Sequence, residues 1–69
     1  MWSEQQIKEH IESIHYALQH ALINAPHDKC RISRHFGALI ALYRVLELYD
    51  QADIVIDSYR KWRSEHRED

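Results

Sequence analysis

Six histidines, one cysteine and eleven acidic side chains are the reactive groups of this 69-residue chain, and their spacing decides what they can do together. His10, His15 and His20 recur every five residues. On a helix that step overshoots a full turn by about 140°, which scatters the three rings and rules out a single-face metal site. Glu12 and His15 make one E-x-x-H pair of the kind found in di-iron bundles, but Glu47, Asp50 and Asp53 have no histidine at the matching offset. His27, Cys30 and His35 have spacings a zinc site could use, yet the sequence offers no fourth ligand and no C-x-x-C element. Nor do Cys30 and its neighbouring histidines come with an orienting group or oxyanion donor that would make a nucleophile pair. The expectation is a protein that is not an enzyme and uses no cofactor, with a metal-binding helical bundle as an alternative.

Two basic clusters are the other candidate chemistry. Lys29, Arg31, Arg34 and His35 form the first; Arg60, Lys61 and Arg63, interleaved with Tyr59 and Trp62, form the second. Cations beside aromatic rings can hold phosphates and bases, so a small DNA-binding regulator using residues 29–35 and 60–63 is a second alternative. Against it, the formal net charge is −2, which gives no global electrostatic pull toward a polyanion. A helix-turn-helix also needs a turn before a polar recognition helix, and residues 49–53 offer none. Basic residues in a last helical turn complement the helix dipole as well.

The elements that must position these groups read as helices throughout. One glycine and one proline, with no strand-like alternation, predict an all-α chain in a single domain over residues 1–69. Ser3 and Gln6 are spaced as a capping box, with Trp2 and Ile7 placed for a hydrophobic staple. Ile7, Ile11, Ile14, Leu18, Ala21 and Ala25 then form a narrow seam for one neighbouring helix. The first helix is expected over about 4–24, ending before Pro26, and 25–28 is the loop. Asp28 or Ser33 caps a second helix over about 29–49. A third helix, or a kinked continuation, covers about 51–66, with Asp50 and Asp53 as caps and Tyr49 and Ile54 as its staple. The absence of glycine and proline near 49–53 speaks against a full break, and the tail SEHRED is expected to fray. The fold expected is an antiparallel helical hairpin with a long second helix kinked or broken near 49–53, assembled as a homodimeric helical bundle.

Residues 36–49, FGALIALYRVLELY, carry only Arg44 and Glu47 as charges in a chain that is 29% charged. Leu39, Leu42, Tyr43, Leu46 and Tyr49 share a face with Phe36. Val45 and Leu48 widen the apolar arc to roughly two thirds of the circumference, well beyond the ~100° of an ordinary surface helix. The narrow stripes of the other helices cannot cover it. Leu42, Val45, Leu46, Leu48 and Tyr49 are therefore the expected dimer interface. Tyr16, His20 and Ile23, on the side of the first helix opposite its seam, and Tyr59, Arg60, Trp62 and Arg63 are the expected partner-binding residues, since Trp, Tyr and Arg dominate interface hot spots.

A lone Cys30 excludes an internal disulfide and suits a reducing compartment. No signal peptide or bilayer-spanning run is visible, so the chain is expected in the cytoplasm without a membrane. Phe36, Leu39, Tyr43, Tyr49 and Ala52 are spaced similarly to one tetratricopeptide helix pair, although Ile40 and Tyr59 stand where small residues belong. In length, helical character, expected dimerisation and lack of catalytic motifs, the chain resembles small phage-encoded helical inhibitors such as anti-activators of LuxR-type quorum-sensing factors. That resemblance implies a binder that masks a surface of a host regulatory protein, and it carries no residue-level correspondence.

Overall fold

A computed structural model describes residues 2–66. They form three helices: α1 (Glu4–Asn24), α2 (Lys29–Val45) and α3 (Tyr49–Glu65), with no strand among the described residues. The start of α1 is held by the capping box. Ser3 Oγ accepts from the Gln6 backbone N–H at 3.2 Å, and Gln6 Oε1 accepts from the Ser3 N–H at 2.8 Å. This satisfies two of the orphan donors of the first turn. Trp2, in the staple position, is exposed, with its ring set edge-on against His10 at 5.0 Å. Pro26 follows the end of α1 directly. Asp28 then caps α2, its Oδ1 accepting from the Arg31 N–H at 3.3 Å while Oδ2 pairs with Arg31 Nε.

The stop of α2 lies at 46–48, ahead of the 49–53 stretch, and α3 is a separate helix, not a continuation. The Leu48 N–H bonds the Tyr43 carbonyl at 2.8 Å and the Glu47 N–H bonds that of Arg44 at 3.0 Å. These are the two bonds of a Schellman motif. The motif needs a left-handed residue at its C′ position, and Glu47 supplies it with φ 60°. Glycine usually takes that position because a Cβ is strained there. Leu48 then serves as the N-cap of α3 without a side-chain cap bond. Asp50 falls inside the first turn, where its charge meets the positive helix end but caps nothing. Tyr49 and Ile54 are both exposed and do not staple the start of α3. At the far end Ser64 and Glu65 close α3 and the His66 N–H bonds the Trp62 carbonyl; the frayed end expected of SEHRED lies, at residues 67–69, outside the described residues.

Packing runs through α2. Its backbone runs close to both α1 and α3, whereas α1 and α3 make no such close backbone approach to each other. Ile11, Ile14, Leu18 and Ala21 of α1 join Ile32, Phe36 and Leu39 of α2 and Val55 and Trp62 of α3 in one core. Ile32 and Leu39 are fully enclosed, whereas Tyr43 and Leu46 lie half-buried against them. The chain is elongated, 41 × 22 × 15 Å, with a Cα radius of gyration of 12.5 Å. A compact chain of this length would measure about 11 Å.

Replacing Glu47 with glycine should raise stability by about 0.5–1 kcal/mol, since it removes left-handed strain at a position whose side chain is exposed. Urea unfolding would read this as a higher midpoint at unchanged slope; a lower midpoint would show that Glu47 contributes more through its side chain than its backbone costs.

Candidate functional site

The histidines singled out by spacing are dispersed by the fold into ring contacts. His15 is half-buried, and its Nε2 lies 2.8 Å from the Tyr43 hydroxyl, joining α1 to α2. His10 packs on Trp2, His20 on Tyr16 (6.4 Å, 27°) and His66 on Trp62 (5.4 Å, 27°). Glu12 is exposed, so the E-x-x-H pair is split between solvent and the α1–α2 seam. No group of three His, Cys, Asp or Glu side chains among the described residues comes together to hold a metal. Cys30 is exposed and free.

The expected dimer residues divide. Leu42 and Leu46 pack half-buried on the core, while Val45, Leu48 and Tyr49 stand 64%, 40% and 58% exposed. Val45 belongs to a wider surface than its spacing with Leu48 suggested. Gly37 and Ala41 precede it at four-residue steps, on one side of α2, and both are exposed. On α1, Tyr16 and Ile23 are 73% and 78% exposed with His20 between them, an i, i+4, i+7 row opposite the seam.

Trp62 requires a correction. Expected as an exposed anchor, it is a core residue. Its position on the α3 stripe with Val55 turns the indole inward, against Phe36 at 5.8 Å. Tyr59 is half-buried on the same cluster. Arg60 and Arg63 remain exposed beside them. The Trp62 Nε1–H is buried and has no acceptor.

Charge is sorted by the antiparallel path. The end of α1, the start of α2 and the end of α3 lie together, which brings the two basic clusters to one end of the molecule. Cutting each helix at its midpoint, that end (residues 15–37 and 58–66) holds Lys29, Arg31, Arg34, Arg60, Lys61 and Arg63 against Asp28 and Glu65, a formal +4. The other end (residues 2–14 and 38–57) holds Glu4, Glu9, Glu12, Glu47, Asp50, Asp53 and Asp57 against Lys8 and Arg44, a formal −5. A net charge near zero thus conceals a strong axial separation, which sequence order alone did not display.

No family model, curated protein or solved structure matches this chain.

Substituting Tyr43 with phenylalanine should cost about 0.5–1.5 kcal/mol, because the half-buried His15 loses its partner across α1 and α2. Chemical denaturation would check this; an unchanged midpoint would mean that water replaces the hydroxyl without loss.

Proposed function

We propose that this protein is a non-enzymatic, homodimeric helical module that acts by binding and masking a surface of another protein, such as a transcriptional regulator. The observation that carries the reading is the amount of apolar side chain the fold leaves uncovered. The chain exposes 5422 Å². A compact monomer of 8.3 kDa would expose about 4,600 Å². The excess, about 800 Å² of total surface, is similar in size to one partner's share of a standard interface, and the uncovered apolar side chains include Val45, Leu48, Tyr49, Tyr16 and Ile23.

The open side of α2 suits a second copy. Gly37, Ala41 and Val45 form a row of small side chains that lets two helices approach closely. In an antiparallel pairing centred on Ala41, Gly37 meets Val45 of the partner subunit, a gap facing a knob. The same register sets Arg34 against the partner subunit's Leu48 at both ends, as a two-fold isologous contact requires. Leu48 and Tyr49 extend the contact past the end of α2. Masking would fall to α1. Tyr16, His20 and Ile23 at i, i+4 and i+7 are the anchor pattern of a helix laid into a partner's groove. Bringing two such faces in one dimer gives the avidity that a small binder needs.

Sedimentation equilibrium at micromolar concentration should give twice the chain mass, and Val45→Lys with Tyr49→Lys should halve it while leaving the helical circular dichroism intact, since both positions are exposed. A folded wild-type monomer would refute the dimer. For the binding face, a partner retained by the wild type should be lost with Tyr16→Ser and Ile23→Ser; retention by that variant would place recognition elsewhere.

A further inference from the structure

We infer that the basic end carries a nucleotide-binding groove between the start of α2 and the end of α3, a site separate from the surfaces assigned to self-association and masking. The groove has a volume of about 670 Å³, within the range of small-ligand sites. Ser33 contributes from α2, and Tyr59, Arg60, Trp62, Arg63 and His66 from α3. Among the described residues no carboxylate lines it. Arg60 and Arg63 are exposed and have no ion pair among the described residues, so two guanidinium forks face solvent in a region of formal +4. Arginine forks match the oxygens of a phosphate in both geometry and charge, and the Ser33 hydroxyl adds a further donor at the positive end of α2.

The aromatic arrangement distinguishes a nucleotide from a bare anion. Tyr59, Trp62 and His66 form a ladder of near-parallel rings on α3, with Tyr59–Trp62 at 6.0 Å and 23° and Trp62–His66 at 5.4 Å and 27°. His66 donates from Nδ1 to the Trp62 carbonyl at 2.9 Å, which fixes its ring on the indole. Among the described residues the ladder ends at His66, which is only half-buried. A planar base can continue that stack while its phosphate meets Arg60 and Arg63; stacking of this kind accepts any base because every base has a π-face. The second observation pointing to a ligand is Trp62 itself. Its indole is 8% exposed, and its Nε1–H has no acceptor, an uncompensated donor of a kind that is rare in a folded core. Trp62 itself lines the groove, which puts this unpaired donor on a residue at the site.

The ligand chemistry, a base carrying phosphate, can come from a free nucleotide or from a single nucleic-acid strand. The test uses the full chain with Trp2→Phe, so that Trp62 is the only indole; Trp2 is exposed at the opposite end. Trp62 fluorescence is titrated at low salt with a nucleoside triphosphate, a short single-stranded oligonucleotide, pyrophosphate and polyglutamate. The expected result is a saturable change with the triphosphate or the oligonucleotide, the tighter of the two identifying the source. Pyrophosphate should bind about tenfold more weakly for lack of a ring to stack. With two phosphate contacts, affinity for the oligonucleotide should fall about tenfold for a fourfold rise in salt. Arg60→Gln with Arg63→Gln should abolish the response with circular dichroism unchanged, and Lys8→Gln at the other end should leave it intact. The proposal is overturned by no response to either nucleotide ligand, by polyglutamate or pyrophosphate binding equally well, or by full affinity in the double arginine variant.

Discussion

α2 is the one helix whose backbone runs close to both others, and the fold depends on that arrangement. Ile32 and Leu39 are fully enclosed in a core to which α1 and α3 both contribute, although α1 and α3 make no such close backbone approach to each other. Stability therefore cannot be divided into two independent hairpins. Loss of the α2 core removes the ground on which both flanking helices rest. The long dimension of 41 Å is set mainly by helix length, since the 21 residues of α1 alone span about 31 Å.

The same constraint decides which surface is left over. A central helix flanked on two sides has its remaining side bare, and on α2 that side carries Gly37, Ala41 and Val45, not the lysines and glutamates of a solvated face. The stop at Glu47 matters here too. By ending α2 at Val45, the Schellman turn sends Leu48 and Tyr49 outward at a corner instead of along a continuous helix. Phe36, Leu39, Leu42 and Leu46 of the apolar run thus face the core, while Val45, Leu48 and Tyr49 around the turn stay exposed.

Much of this was legible in the residue order. The capping box at Ser3 and Gln6, the stop before Pro26 and the cap at Asp28 are local signals, read within four residues, and α1 and the start of α2 lie where they place them. A break near 49–53 was one of the two outcomes the sequence offered, but its place at 46–48 was not legible, because its left-handed residue is a glutamate and the usual glycine is absent. Only the backbone bonds of Glu47 and Leu48 reveal it. Trp62 carries two opposed signals. Its residue type favours interfaces, but its stripe position beside Val55 favours the core, and in a chain this small a large apolar ring is worth more inside. Gly37 and Ala41 escaped notice because small side chains register as an absence until a neighbouring helix is seen to leave them uncovered.

The electrostatics make the same point about what a total conceals. A formal charge of −2 seemed to remove polyanions from consideration, yet that sum averages a basic end with an acidic one. Association with a charged partner is governed by the local field over about a Debye length, ~8–10 Å at physiological salt, which is far shorter than the 41 Å axis. A ligand approaching the start of α2 experiences Arg60, Arg63 and their neighbours and is screened from Asp50 and Asp53. The antiparallel path produces this separation from two clusters some thirty residues apart in sequence, and it does so at the end where the Tyr59–Trp62–His66 ring ladder also terminates. Charge and stacking surface coincide there because both are carried by the last turns of α3, whose inward face needs the aromatic rings for the core and whose outward face is free to hold the arginines.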